Sequence, residues 1–397
     1  MAFKIDSHFY HLLIKQLGIL LLMVSTVHAK DCSKLVMIDL YGHSLVFTFH
    51  ESFEVSSNQC FSEETLKSNV DHLLQNANVE LLIAEMDGYS LSLQMDDIAY
   101  LLMLNKVTNT ILKQGSDDCK KLFKYAVLHK KGFDVFVGYT QSSITLYGRT
   151  NIMIDNCLFI ERGNKKYFDL SFNQHAEPHA EHLFVMRHEG KALPLVMNMI
   201  TPPTFSAKQT KKVMPFEYDG FLYFFTSKIN QSLVEYYKEL PTINISNVYL
   251  NYGLSSSATA SLIQEMKKAT SSMSTTEGVN FLLRFVQTTF EYKKDELVYG
   301  QEKFSFPEET LTNAFSDCED KAMLFAVLVN KVYGLKSVAL YYKDADHINI
   351  AIESWKQNIK GNFVFNDHNY IICEPTGKGF NIGESSTSVH LASLIDW

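Results

Sequence analysis

The sequence is poor in the residues that mark several special classes of protein. Its 397 residues include six Cys, eight Pro and 18 Gly. So few cysteines exclude a disulfide scaffold, and so little Pro and Gly excludes a collagen-like or linker-rich chain. Basic residues are also in the minority, because 36 Lys and Arg stand against 44 Asp and Glu for a formal charge of −8. That balance argues against nucleic acid as a partner, since phosphate binding depends on Lys and Arg.

Signatures of cofactors and metals are missing as well. The sequence has no glycine-rich phosphate loop, so it predicts no nucleotide cofactor. The segment QHAEPHAEH contains His175, His179 and His182, but Pro178 prevents one helix face from presenting them together. A solvated loop is the favoured interpretation over a zinc site, and we predict that no metal is bound.

Long apolar runs are absent except near the beginning of the chain. Residues 17–27 (LGILLLMVSTV) follow Lys4 and Lys15 and precede Val27-His28-Ala29, which is the layout of a cleaved secretory signal peptide. An uncleaved N-terminal anchor is the alternative. No later stretch reaches 18 apolar residues, so no membrane span is predicted after cleavage. Residues 1–29 are therefore interpreted as a signal peptide of an exported protein, periplasmic or secreted.

The sequence contains enough apolar residues to form packed cores, since 46% of the residues are hydrophobic and 28 are Phe. Residues 30–173 predict an α+β domain in which strands are followed by helices that begin near Ser62, Asp96 and Asp117, the last ending at Gly132. Apolar runs over 174–252 predict an antiparallel β-rich module. The small polar stretch 253–261 predicts a linker, and 253–397 a second α+β domain.

A cysteine opens a helix in this last domain. Asp317 is the predicted N-cap, Cys318 lies in the first turn, and Gly334 ends the helix. The unpaired N–H groups and the helix dipole favour a thiolate at this position, although Glu319 and Asp320 oppose the effect. Cys318 therefore needs a base as a partner to act as a nucleophile.

Two residues on the following strands supply that partner and its support. SVALYY and HINIAIES read as a strand pair, the second starting at His347, and NYIICE reads as a third strand that ends in Glu374. A carboxylate on the neighbouring strand can hydrogen-bond one imidazole nitrogen, which leaves the other to take the thiol proton. The order predicts a Cys318, His347 and Glu374 triad, with Asp367 as the alternative orienter of the histidine.

The chain resembles a group of exported bacterial transglutaminase-like proteins with a papain-like fold. Four runs carry the resemblance: NFLLRFVQTTFEY, YGQEKFSFPEETL, SDCEDKAMLFAVLV and CEPTGKGFNIGE. The resemblance covers residues 277–384 strongly and weakens towards the N-terminus. Members of the group carry Asp where this chain has Glu374, which keeps the carboxylate but lengthens its reach.

The resemblance implies a thiolate that attacks a carbonyl, with the backbone N–H of Cys318 at the oxyanion. Gln287 is a candidate second oxyanion donor, and a buried structural amide is its alternative role. We expect a hydrolase acting on a protein or peptide substrate, for instance a cell-envelope peptide. An amine-accepting, protein-crosslinking transglutaminase and a non-catalytic binding or envelope-assembly protein are the alternatives.

Three further expectations concern the other cysteines. The order from Cys119 to Gly132 and the strands after it parallels the order from Cys318 to Gly334, so residues 60–173 are hypothesised to be a degenerate copy of the C-terminal fold. Chance recurrence is the alternative. Cys32 and Cys60 could pair in an oxidising compartment, whereas Cys157 and Cys373 are interpreted as buried thiols.

Overall fold

The computed structural model describes residues 33–53, 62–172, 182–198, 200–205, 208–243, 247–300, 302–355 and 362–395. The predicted signal peptide, Cys32, Cys60, His175 and His179 lie outside these residues. The protein is a mixed α+β structure whose two large sheets are antiparallel, which is the class that the sequence predicts.

The described residues of the N-terminal half form a β-hairpin, then four α-helices and then a sheet. The hairpin consists of β1 (Ser33–Leu40) and β2 (His43–His50). The helices are α1 (Glu63–Leu74), α2 (Ala77–Ser92), α3 (Asp97–Ile111) and α4 (Asp117–Lys130). The strands are β3 (Val135–Tyr139), β4 (Ile144–Gly148), β5 (Phe159–Arg162), β6 (Lys165–Asp169) and β7 (Phe184–Met186).

The C-terminal half follows a similar plan with more helices. Its hairpin consists of β8 (Gln209–Tyr218) and β9 (Phe221–Asn230). The next helices are α5 (Gln231–Glu239), α6 (Asn247–Tyr252), α7 (Ser256–Ala258), the π-helical turn Thr259–Ile263 and α8 (Gln264–Ala269). After them come α9 (Thr275–Thr289), the short strand β10 (Glu291–Tyr292), α10 (Asp295–Tyr299), α11 (Pro307–Thr310), β11 (Phe315–Ser316) and α12 (Cys318–Tyr333). The last strands are β12 (Ser337–Tyr342), β13 (His347–Glu353), β14 (Asn362–Phe365), β15 (His368–Cys373) and β16 (Ser393–Ile395).

The two large sheets have the same strand order. The N-terminal sheet runs β5-β6-β4-β3-β7 and the C-terminal sheet runs β14-β15-β13-β12-β16, so each strand of one has a counterpart at the same place in the other. A helix packs against each sheet, α4 on β4 and α12 on β13. The two hairpins also match, because both turn on a residue and a glycine with positive φ, Tyr41-Gly42 and Asp219-Gly220.

Several boundaries follow the sequence because side-chain caps define them. Ser62 accepts from the Thr65 N–H before α1, and Asp96 does the same for Ala99 before α3. The predicted helix starts at Ser62 and Asp96 are therefore confirmed. Ser274 and Glu277 form a capping box before α9.

The organisation of residues 174–261 differs from the prediction. Strand β7 pairs with β3 and so belongs to the N-terminal sheet, while the hairpin β8–β9 packs Phe216 and Phe225 against Phe281 and Phe285 of α9. The described part of 174–252 is thus shared between the two halves rather than gathered in a β module. The predicted linker at 253–261 is wrong, because Ser255 caps α7 through the Ala258 N–H and the same small polar residues that suit a linker also suit a helix start.

Candidate active site

Cys318 is the first residue of α12, as the sequence predicts. The Asp317 side chain accepts from the Asp320 N–H at 3.5 Å and caps the helix, and Gly334 ends it with φ of 72°. The Cys318 side chain is almost fully buried, with 4% of its surface exposed. The helix therefore presents the thiol at its N-terminus but within a closed site.

The sulfur of Cys318 has two polar neighbours. Its thiol donates to Glu319 Oε2 at 2.9 Å, and the backbone N–H of Ile348 lies close enough to lower the pKa of the thiol. Burial raises the pKa of the thiol well above its usual value, and the carboxylates of Glu319 and Asp317 raise it further, while the Ile348 N–H acts in the opposite direction. The predicted opposition of Glu319 to thiolate formation is present as a direct contact.

His347 and Glu374 meet at one end of the C-terminal sheet. His347 is the first residue of β13, and Glu374 follows the last residue of β15, the strand that pairs with β13. His347 Nε2 and Glu374 Oε2 lie 3.0 Å apart. This places the carboxylate on one ring nitrogen and leaves Nδ1 as the nitrogen that can accept a proton.

The surroundings of Glu374 keep it ionised. Its carboxylate is buried and accepts from the Thr376 N–H at 3.2 Å, the Gly377 N–H at 3.4 Å and the Ser386 hydroxyl at 3.2 Å. Burial alone would raise its pKa, but His347 and the N–H groups of Thr376 and Gly377 lower it below the ordinary value. Burial would likewise lower the pKa of His347, and the Glu374 carboxylate raises it above the ordinary value. The carboxylate and the imidazole thus each stabilise the charged form of the other.

The structure brings two of the three residues of the predicted triad into direct contact. His347 and Glu374 are hydrogen-bonded, whereas no hydrogen bond joins Cys318 to the imidazole in the part of the chain that the structure describes. They are connected through packing, because α12, which begins at Cys318, packs on β13, which begins at His347. Asp367, the alternative orienter, lies in the β14–β15 turn with φ of 62°, at the far end of β15 from Glu374.

Gln287 holds the segment that follows Glu374. Its Nε2 donates to the carbonyls of Glu374 at 2.8 Å and Phe380 at 3.0 Å, and its Oε1 accepts from the Gly379 N–H at 3.2 Å. Both amide hydrogens are engaged, so neither is directed at a substrate oxygen. The geometry fits the structural role that the sequence left open for Gln287.

Sequence reasoning missed the acidic surroundings of the thiol. A narrow cleft beside Cys318 is lined by Tyr292, Lys294, Glu296, Glu302, Asp317, Glu319 and Asp346. Burial raises the pKa of Glu302 to about 7 and that of Glu319 to about 8, and neighbouring carboxylates add to both effects. Glu296 and Glu302 of this cleft lie in the connection between α9 and α12. That connection has no periodic sequence pattern from which their position could be predicted.

Carboxylate oxygens lie close together in two groups among the described residues. Asp295, Asp317 and Asp320 form one group, and Glu302, Asp317 and Glu319 form the other, each within 4.8 Å. Acidic side chains alone do not define a metal site, and the absence of a bound metal stays a prediction. Of the predicted histidine loop, His182 is described, and its ring packs edge-on against Phe184.

The four cysteines of the described residues form no disulfide with one another. Cys119, Cys157, Cys318 and Cys373 are all buried, as predicted for Cys157 and Cys373. Cys119 is the third residue of α4 and not its first, so it does not occupy the helix position of Cys318.

The chain matches no protein-family model, no curated protein and no solved structure. Within the residues described, no helix combines the length and the apolar character that a membrane crossing needs.

Proposed function

We propose that this protein is a cysteine-dependent acyl-transfer enzyme that hydrolyses peptide-type amides. Cys318 is the nucleophile, His347 the general base and then acid, and Glu374 the residue that orients His347. The observation that supports the proposal best is the 3.0 Å hydrogen bond between His347 Nε2 and Glu374 Oε2, made at the start of β13, the strand on which the Cys318 helix α12 packs.

The chemistry follows from these positions. His347 Nδ1 takes the thiol proton, the Cys318 thiolate attacks the amide carbon, and the oxyanion is met by the Cys318 N–H, which lies in the first helical turn and has no intrahelical partner. The imidazolium then protonates the leaving amine, and a thioester remains. His347 next removes a proton from water, which cleaves the thioester to release the acid and restore the thiol.

The fold proposed for the C-terminal half is the transglutaminase-like, papain-like core, supported by a helix with Cys at its start that packs on an antiparallel sheet carrying His347 and Glu374. We propose in addition that the N-terminal half is a second copy of this fold that has lost the site. The shared strand order of the two sheets and the matching hairpin turns support this duplication.

Strand register identifies which residues replaced the site in that copy. Tyr342↔His347 closes the β12–β13 pairing as Tyr139↔Ile144 closes the β3–β4 pairing, so Ile144 stands where His347 stands. Three residues further, Ile350 pairs with Cys373 as Tyr147 pairs with Asp169, so Leu170 stands where Glu374 stands.

These replacements remove the acid–base chemistry from the N-terminal sheet. Both Ile144 and Leu170 are buried and carry no titratable group. The helix start differs as well, because Asp117 occupies the first position of α4. The N-terminal copy is therefore proposed to serve packing or substrate binding, with the reaction confined to the C-terminal copy.

Export, to the periplasm or beyond the cell, is proposed on the sequence of residues 1–29. N-terminal sequencing of the protein recovered from cells tests it, and a mature chain that begins at Lys30 is the expected result. A chain that keeps residues 1–29 contradicts cleavage.

Alkylation of Cys318 by iodoacetamide tests the enzymatic proposal. At pH 7 Cys318 is expected to react faster than Cys373, a buried thiol on β15, and His347→Ala is expected to slow Cys318 at least about tenfold while leaving Cys373 unchanged, because a tenfold rate change corresponds to one unit of pKa. Peptide mapping after a timed reaction gives both rates. Equal rates in the wild type and His347→Ala contradict the proposal and favour the non-catalytic alternative, in which the fold only binds.

A further inference from the structure

Glu319 makes a contact that helix geometry does not provide by default. Consecutive residues of an α-helix point in different directions and do not face each other. The Glu319 side chain nevertheless turns towards its neighbour, and its Oε2 accepts the Cys318 thiol at 2.9 Å. Both side chains are buried, with 4% of Cys318 and 7% of Glu319 exposed. The contact is therefore shielded from water.

The acids in the first turn of α4, the corresponding helix of the N-terminal half, have different partners. Asp117 lies 3.7 Å from Lys120, and Asp118 lies 3.6 Å from Lys121, so the first-turn acids of α4 are paired with lysines. In α12, Lys321 instead donates to the Phe290 carbonyl at 2.9 Å. No ion pair reaches Glu319 among the residues that the structure describes; the thiol donates to its carboxyl, which also lies close to the carboxyls of Asp317 and Glu302.

The thiol cannot serve two acceptors at once. It has one proton, which the structure directs to Glu319, while His347 Nδ1 is the acceptor that the reaction needs. The groups that face this region from the other elements are Asp317, Glu302, Glu296, Asp346, Tyr292 and Lys294. Because most of them are acidic, they do not favour a thiolate in the arrangement seen.

We infer that Glu319 holds the Cys318 thiol in a resting state and must turn away before His347 can accept the thiol proton. This inference rests on the proposed function for the role of His347, but the contact itself is independent of it. Entry of an acyl group beside the sulfur displaces the Glu319 carboxylate, and the S–H proton then passes to His347 Nδ1. Glu319 is thus a positioning residue that sets how readily the nucleophile forms.

Glu319→Gln tests the inference because it removes the charge and keeps the size of the side chain. Cys318 in Glu319→Gln is expected to react with iodoacetamide about tenfold faster than in the wild type at pH 9, where Glu319, with a pKa of about 8, is ionised; a tenfold gain is the effect of a fall of one unit in thiol pKa. Titration of thiolate absorbance near 240 nm is expected to show a lower midpoint for Cys318. Asp118→Asn, a first-turn acid of α4, is the matched control and is expected to leave the rate unchanged.

The outcomes separate this inference from the proposed function. If iodoacetamide alkylates Cys318 no faster in Glu319→Gln than in the wild type, the resting-state role is overturned. Slow alkylation of Cys318 in His347→Ala would still support the triad in that case. If Glu319→Gln is faster and adding His347→Ala takes nothing from the gain, Glu319 restrains the thiol but the triad fails. Glu319→Ala is also expected to speed the alkylation of Cys318. Circular dichroism melting establishes that each variant is folded. Slower alkylation of Cys318 in a folded Glu319→Ala variant overturns the inference.

Discussion

The imidazole of His347 and the carboxylate of Glu374 are 27 positions apart in the chain and 3.0 Å apart in space. The pairing of β13 with β15 produces this proximity, because the register Ile350↔Cys373 brings the residue after β15 to the end of the sheet where β13 begins. The contact is built from backbone register, which makes it rigid. Its consequences can be measured separately on each partner.

Glu374→Gln is expected to lower the pKa of His347. In the wild type the pKa lies above 6.5 because the Glu374 carboxylate outweighs the effect of burial. With a neutral amide in its place, burial remains and the pKa is expected below 6.5. Titration of the imidazole resonances by NMR measures it. Glu353→Gln, whose carboxylate lies 4.0 Å from His368 on the surface, is the control and leaves His347 unchanged. A His347 pKa that Glu374→Gln does not alter contradicts this effect of the carboxylate.

The same pair predicts how stability depends on pH. The raised pKa of His347 contributes stability that is fully present below pH 6.5 and is lost as the pH rises through the folded-state value. The lowered pKa of Glu374 contributes stability that is present above pH 4.5 and is lost as the pH falls through its folded-state value. The free energy of unfolding of the wild type should therefore exceed that of Glu374→Gln most between pH 4.5 and 6.5. Urea titrations across this range measure the difference, and a difference that grows above pH 8 contradicts it.

Local chemistry explains which parts of this structure could be predicted. Asp317 and Ser274 mark helix starts because their side chains accept backbone N–H groups three residues on, and that pattern is visible in the sequence. The strand that begins with His347 alternates between apolar and polar residues, and the strand that precedes Glu374 is a short apolar run. The order of Cys318, His347 and Glu374 on a helix and the strands after it could therefore be predicted from the sequence.

Other features depend on the tertiary structure and could not be predicted. Strand β7 has three residues and joins β3 from more than 40 positions away, and nothing local specifies its partner. The turn of Glu319 towards Cys318 depends on burial by surrounding elements, and its sequence position suggests only a dipole effect. Helix α2 was also not predicted, because its apolar residues do not follow one clear face.

Gln287→Ala is expected to destabilise the protein by about 2 kcal/mol, because it leaves the buried carbonyl of Glu374 and its neighbours without a donor. Urea unfolding measures the change. Thr288→Ala is the control, since that hydroxyl donates to the Arg284 carbonyl on the exposed side of the same helix, and its effect should stay within about 0.5 kcal/mol. Equal effects of the two variants would show that the Gln287 contacts carry no stability.

Lys321→Met is expected to change the pH dependence of stability at alkaline pH. Burial lowers the pKa of Lys321 from 10.5 to about 8. Between these values the unfolded chain binds more protons than the folded one, so the wild type gains stability relative to Lys321→Met as the pH rises, by up to about 1.4 kcal/mol per pH unit. Comparison of urea midpoints at pH 8 and pH 10 measures the gain. A constant difference between the two proteins contradicts a lowered pKa.

Two helical glycines predict opposite effects of the same substitution. A Cβ at Gly278 in α9 would lie 1.6 Å from the Tyr333 hydroxyl oxygen, whereas a Cβ at Gly88 in α2 would meet nothing within 4 Å. Gly278→Ala is therefore expected to lower the free energy of unfolding by about 1–3 kcal/mol. Gly88→Ala is expected to raise it by about 0.5–1 kcal/mol, because alanine favours the helix.

The clash at Gly278 can be isolated with a double-mutant cycle. Tyr333 is the last residue of α12, so its ring links the end of that helix to the first turns of α9. In a Tyr333→Ala background the Gly278→Ala penalty is expected to vanish, since the clashing atoms are gone, and only the helix preference of alanine remains. A penalty of equal size in both backgrounds would mean that α9 does not approach Tyr333 as closely as described, because no other side chain is close enough to cause it.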